Sequence, residues 1–177
     1  MPVAYLEMTA SPAGPLAFAV DDMGALLRSQ FVAGAYTLSL EEELARAGYE
    51  LARDPARTAQ ARAQLLEYHH GARGAFSVPL ALVGTEWQRA IWLALTRIPC
   101  GETRGYGELA AELGRPHAAR AVGRANATNP LPLIVPCHRL VGANGALTGY
   151  GGGLDLKAKL LAHEARMAGA STESGEA

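Results

Sequence analysis

Apolar residues first gather in three short runs, 3–8, 16–20 and 25–32, broken by SPAG at 11–14 and DDMG at 21–24. The breaks supply the small, polar and glycine residues that turns need, so the runs predict a small antiparallel sheet. Ser39 with Glu42 fits a capping box and predicts a helix to about residue 47. Residues 58–70 are helix-like with Gly71 as a stop, and 76–83 reads as extended. No recognisable chemistry falls in this half, whose expected role is scaffolding.

The pattern restarts at Thr85, which with Gln88 forms a second capping box. Trp87, Ile91, Ala94, Leu95 and Ile98 then share one helical face, a core stripe that Pro99 and Gly101 end. Cys100 sits at that exit and reads as structural. Residues 106–113 and 117–127 predict two short helices around Gly114-Arg115-Pro116, a helix-turn-helix pattern. The second, HAARAVGRANAT, carries Ala and Gly where bulk would stand. Such a helix can approach another surface closely but holds few side chains for reading base edges, so contact with DNA would show little sequence preference.

Between that pair and the last helix lies NPLPLIVPCHR, residues 129–139. Prolines at 130, 132 and 136 fix φ and remove backbone donors, so the segment is a poor helix and reads as a stiff, buried, extended piece delivering one thiol, Cys137, to a fixed place. A nucleophile held for geometry and a buried structural cysteine both fit. Asn144-Gly145 between two apolar pairs predicts a hairpin, a wing beside the helix pair. TGYGGG at 148–153 marks close backbone approach, a tight turn, or both. No Lys-Ser/Thr follows, so it is not a phosphate-binding loop. Residues 154–167 predict an amphipathic helix ending before Gly169, with Glu164 on a mostly apolar stretch. STESGEA at 171–177 reads as a disordered polar tail.

Composition narrows the class. At 177 residues and 49% apolar, the chain suits one good-sized domain or two small ones. It shows no signal peptide and no membrane-length apolar run, and its two cysteines suit a reducing compartment, so a cytoplasmic protein with no membrane partner is expected. No CxxC or clustered Cys/His spacing exists, hence no metal site is expected, and His69-His70 reads as solvated. The net charge of −1 hides an asymmetry. Residues 1–83 hold six basic and nine acidic side chains, while 84–170 hold ten basic and six acidic. That excess around Cys137 suits a polyanionic partner.

The strings IPCGET, YGELA, AARAVGRANATNP, LPLIVPCHRLVG, LTGYGGG and LLAHE stand in this order over residues 85–166. In order and spacing this half resembles the O6-alkylguanine-DNA alkyltransferases, single-use DNA-repair proteins. The resemblance implies an α+β protein: an antiparallel sheet-plus-helix domain (1–83), a mainly helical winged helix-turn-helix-like domain (84–170) and the tail (171–177). It implies Cys137 as alkyl acceptor, His138 and Glu164 as the pair that draws off the thiol proton through a water, and Tyr106 as a phosphate-crowding proton donor. Arg120 would fill the gap left by the rotated base, with Ala121, Gly123, Arg124 and Ala125 completing the DNA-facing helix. Asn129, Pro132, Leu140, Tyr150 and Gly151 would form the substrate pocket, with the backbone carbonyls of Cys137 and Leu140 accepting from the exocyclic amine. The implied partner is double-stranded DNA carrying O6-alkylguanine (or O4-alkylthymine), met by a monomer through the minor groove with no cofactor. Gly105 and Arg124 depart from the family's pattern. The competing classes are a winged-helix regulator, a lesion binder without transfer activity, and a Cys-His-Glu hydrolase.

Overall fold

The computed structural model describes residues 1–173, with side chains described through residue 170. The three apolar runs form β1 (Val3–Thr9), β2 (Leu16–Val20) and β3 (Leu26–Phe31), paired antiparallel in sequence order. A fourth strand, β4 (Glu50–Ala52), joins the far side of β1 in parallel, giving the order β3-β2-β1-β4. The sheet is therefore mixed rather than purely antiparallel. Three residues are too few to show alternation, which is why the pattern hides this strand.

Helix α1 (Leu40–Arg46) opens with the expected capping box from Ser39 and Glu42. Helix α2 (Pro55–His69) begins earlier than its periodicity suggests, because Asp54 caps the Ala56 N–H and Pro55 takes the first position, where its missing donor costs nothing. Residues 76–83 form no strand. Instead the Pro79 carbonyl accepts from Leu26 N–H at 2.8 Å and Ala81 N–H donates to the Leu26 carbonyl at 2.8 Å, which covers the outer edge of β3.

In the second half α3 (Glu86–Leu95) buries Ile91, Trp92, Ala94 and Leu95. Trp92, absent from the expected stripe, is fully packed and donates from its indole nitrogen to the Ala125 carbonyl at 2.8 Å. Trp87 is only half-buried, under the Arg115 guanidinium. The helix pair is α4 (Tyr106–Glu112) and α5 (Ala119–Ala127). The expected hairpin at Asn144-Gly145 is not formed. Both residues adopt positive φ in a tight turn closed by Gly142 N–H to the Ala146 carbonyl at 2.8 Å. The residues before the turn, β6 (Leu140–Val141), pair in parallel with β5 (Arg104–Gly105) instead, so the wing is a loop. Helix α6 (Leu154–Glu173) runs through Gly169, so 171–173 are helical rather than a disordered tail. Residues 174–177 lie outside the described residues.

One buried cluster joins Leu16, Phe18 and Phe31 of the sheet, Tyr68 of α2, Trp92 of α3, the 131–135 run and Leu160 of α6. A smaller one packs α1 on the other face of the sheet through Ala4, Leu6, Leu40 and Leu44. The boundary near residue 83 thus separates elements, while the main core crosses it. Each large side chain that it buries contributes about 1.5–3 kcal/mol.

Candidate active site

The 129–139 segment is held in the core, where Leu131, Leu133, Ile134, Val135 and Cys137 are all packed. It is not extended: Leu133 takes φ 76, Val135 N–H reaches back to the Leu131 carbonyl at 2.8 Å, and the run closes into a turn. A left-handed leucine costs about 1–2 kcal/mol and survives only where its surroundings enforce it. Two clamps do so here. Asn129 donates from Nδ2 to the Val135 carbonyl (2.8 Å) and accepts from Leu131 N–H at Oδ1 (2.9 Å), tying both ends of the turn. Ser29 of β3 donates N–H to the Pro130 carbonyl at 3.1 Å and Oγ to the Pro132 carbonyl at 2.9 Å. The prolines, unable to donate, act here as acceptors.

The turn hands the chain to a single 3-10 turn, Cys137–Arg139, whose three side chains are all buried. Burial pushes the Cys137 thiol up. The Asn129 amide, the Lys157 ammonium and the Tyr150 hydroxyl oppose that by favouring the thiolate. The Tyr150 hydroxyl is itself buried, with the Cys137 thiol as the side chain it acts on, and its ring packs on Phe31 at 6.4 Å between centroids. Lys157, fully buried on α6, donates to the Leu140 and Thr148 carbonyls. Burial lowers its pKa while the nearby thiol raises it.

His138 and Glu164 are both 0% exposed, and His138 Nε2 lies 2.7 Å from Glu164 Oε1. A carboxylate only accepts, so Nε2 carries the ring proton and Nδ1, buried without a protein partner, is left as an acceptor. Burial lowers the His138 pKa, partly offset by Glu164. Burial alone would raise the Glu164 carboxyl, but hydrogen bonds from His138 and Arg139, with their charges, hold it well below the usual carboxylate range. Arg139 covers both carboxylate oxygens, Nε at 3.0 Å from Oε2 and Nη2 at 2.8 Å from Oε1, and reaches the Ile98 and Gly74 carbonyls. Gly101 N–H reaches Oε2 at 3.2 Å, and Tyr68 donates to Oε1 at 2.7 Å.

Around this centre the remaining predicted residues fall into two groups. Tyr106 opens α4 and donates its hydroxyl to the Thr148 carbonyl at 3.3 Å. Arg120 and Arg124 are exposed on α5, while Ala121 and Gly123 are half-buried, with Gly123 facing the Tyr106 ring. Ala125 is 3% exposed and packed in the core, with its carbonyl committed to Trp92. It cannot belong to an outward-facing surface, because α5 needs one apolar side to sit on α3. Pro132 and Leu140 are buried and Gly151 is exposed. The carbonyls of Cys137 and Leu140 already accept bonds, from Leu140 N–H and Lys157.

Reading residues missed Arg139, Tyr68 and Lys157. For Lys157 a signal existed: it lies on one helical face with Leu160 and Glu164, charge at both ends of an apolar stripe. Among the described residues no group of three or more His, Cys, Asp or Glu stands close enough to share a metal ion.

A buried thiol, a histidine whose tautomer is fixed by a carboxylate, and a helix pair presenting small residues and two arginines define a cysteine-nucleophile protein built onto a DNA-binding type of fold. Residues 86–166 match the family model for the 6-O-methylguanine DNA methyltransferase DNA-binding domain. The methylated-DNA–protein-cysteine methyltransferase of Methanosarcina acetivorans is 45% identical over 157 residues, 89% of this chain and 96% of the relative. That of Mycolicibacterium paratuberculosis is 54% identical over 118 residues, 67% of this chain and 72% of the relative. Among solved structures, the Mycobacterium tuberculosis O6-methylguanine methyltransferase superposes with a TM-score of 0.79 at 41% identity, covering 93% of this chain and 94% of the other. A structure of the Mycobacterium tuberculosis protein in complex with DNA gives 0.79 at 40% identity, covering 92% and 94%. The chain belongs to the methylated-DNA–protein-cysteine methyltransferase family and has its α+β fold.

Proposed function

We propose that this protein repairs DNA by moving the alkyl group of an O6-alkylguanine onto Cys137, once and irreversibly. The observation that carries the reading is the His138–Glu164 geometry. It leaves an unprotonated Nδ1 on the residue that follows a thiol that burial otherwise keeps protonated, and a thiol must ionise to attack. Through a water, His138 takes the thiol proton, and Glu164 stabilises the resulting imidazolium. Sulfur then attacks the alkyl carbon in line, the S–C bond forming as the C–O6 bond breaks. The guanine leaves with the bonding pair and takes a proton delivered by Tyr106. The product thioether has no route back, so each molecule acts once without a cofactor.

A thiol buried to 4% exposure cannot reach a base inside a duplex, so the lesion must rotate out. Arg120, exposed on α5, would enter the stack in its place, with Ala121, Gly123 and Arg124 against the minor-groove backbone. A groove of about 560 Å³ between residues 103–108 and 141–145 runs past Tyr106, where the backbone of the rotated nucleotide would lie. The protein would act as a cytoplasmic monomer.

The test is to incubate the protein with a duplex holding one O6-methylguanine. Protein heavier by one methylene, mapped to Cys137, is expected, while Cys137→Ser still binds duplex but gains no mass. A duplex that is bound yet keeps its methyl group would identify a lesion-binding protein instead.

A further inference from the structure

Glu164 Oε1 is shared by three donors from two parts of the chain. His138 Nε2 lies at 2.7 Å, Arg139 Nη2 at 2.8 Å, and the Tyr68 hydroxyl at 2.7 Å. Tyr68 stands on α2, in the half that otherwise serves as scaffold, and is 0% exposed. Its ring is wedged between Phe76 and His163, at 5.5 and 5.3 Å between centroids, and His163 Nε2 meets the Tyr68 backbone carbonyl at 2.7 Å. The hydroxyl is therefore aimed by packing and not free to choose another acceptor.

We infer that Tyr68 is a positioning residue for the transfer reaction, acting on His138 through the carboxylate oxygen they share. This rests on the reading of His138 as the base. A carboxylate oxygen divides its charge among its donors, and whatever Tyr68 draws is withheld from the imidazole. His138 has to be neutral before the reaction and cationic during it. An undivided carboxylate would hold it protonated too early. The other groups facing this site are Arg139 on the same turn, Lys157 on α6, Cys100 after α3, and Cys137. Arg139 and Lys157 both disfavour a charged His138. Among the side chains described here, Tyr68 alone can lose its bond to Glu164 without changing the charge of the site.

The sign follows. With the hydroxyl removed, more of the Glu164 charge falls on His138, its titration midpoint rises, and less of it is neutral in mild acid. Tyr68→Phe keeps the ring and the packing. Two readouts are taken on the full-length protein: NMR titration of the His138 ring in unreacted, DNA-free protein, and transfer rate from an O6-methylguanine duplex between about pH 5 and about pH 9. The expectation is an upward midpoint and an acid limb that moves with it. Tyr68→Phe then becomes roughly three- to tenfold slower than wild type on the acid side and converges with it in alkali. Tyr68→fluorotyrosine, with fluorine ortho to the hydroxyl, makes a stronger donor and should move both readouts the other way. It also carries the test if the phenylalanine variant does not fold.

A lowered melting temperature with neither readout moved in either variant would reduce Tyr68 to a packing residue and overturn the inference. The transfer reading fails separately. A wild-type protein that never gains a methylene, but whose His138 midpoint still follows residue 68, would keep the coupling and lose the reaction.

Discussion

Tyr106 and Lys157 donate to the same acceptor, the Thr148 carbonyl, one from α4 and the other from α6. Lys157 also holds the Leu140 carbonyl next to the 3-10 turn. One ammonium therefore ties the Gly-rich loop to the nucleophile's own segment while lying close enough to favour the thiolate. Lys157→Met should lose the bonds and the charge together. The expected result is a destabilisation of about 2–4 kcal/mol, from buried acceptors left without a donor, and a Cys137 thiol that ionises only at higher pH. Urea melts and thiolate absorbance against pH check the two parts separately. Unchanged thiol ionisation would remove Lys157 from the chemistry.

Acid should unfold the protein in two stages. His138 has a depressed pKa, so the unfolded chain binds its proton first, and stability falls as pH drops below about 6.5. Glu164 is also depressed, so its contribution is complete above about 4.5 and is lost as pH falls further. His138→Gln should flatten the upper stage and leave the lower one reduced but present, because Arg139 still holds the Glu164 carboxyl down. Stability measured by denaturant at stepped pH reads this directly, and a single unbroken decline in both proteins would contradict it.

Gly34 has no room for a side chain. A Cβ there would stand 2.0 Å from the Tyr36 ring, which packs on the main core and lines a cavity of about 200 Å³ with Asn129 and Pro132. Burial, with the Cys137 charge adding to it, pushes the Tyr36 hydroxyl up to about 12. Gly34→Ala should expel the ring, cost about 1–3 kcal/mol, and open a path to the sulfur. Faster labelling of Cys137 by iodoacetamide is the expected sign. An unchanged labelling rate would mean that Tyr36 shields nothing.

Arg120→Ala should slow repair in duplex DNA far more than reaction with free O6-benzylguanine, because a residue that fills a vacated stack has no task without one. Equal losses on both substrates would count against that role. Salt should weaken duplex binding steeply for wild type, and less steeply for the variant if Arg120 also meets a phosphate.

Alkylation should destabilise the product. Cys137 sits among side chains that leave it 4% exposed, and the added carbon has to displace some of them, at about 1–3 kcal/mol. Benzyl should cost more than methyl. The comparison is of melting temperatures for untreated, methylated and benzylated protein with Cys137→Ala as control, and a rise on alkylation would disprove the packing argument.

What the sequence made legible was local. Both capping boxes, the strand runs and the helix pair follow from side chains within a few positions of each other. So does the small-residue face of α5. The resemblance placed Cys137, His138 and Glu164, and the structure brings the last two into contact. Hidden features were those set by partners far along the chain. Leu133 turns left-handed because Ser29 and Asn129 pin both sides of it, which no run of prolines announces. Tyr68 lies 96 residues from its acceptor, on a helix whose pattern shows only a buried face. The Asn144-Gly145 turn forms as its residues demand, but the flanking strand has a better partner in β5, and tertiary pairing wins over the local signal.

The two bonds from Ser29 to the proline carbonyls carry a consequence for how such a chain can change over generations. Every group assigned to act on the sulfur or the base itself lies after residue 83, yet the segment bearing the nucleophile is moulded against a strand near the amino terminus. The later half is therefore not a portable module. Grafted onto a foreign partner, or released by a protease, it would keep its reactive groups and lose the mould that arranges them. Inheritance has to transmit the two halves together, and a substitution in the quiet half can silence the reaction as completely as one at the sulfur.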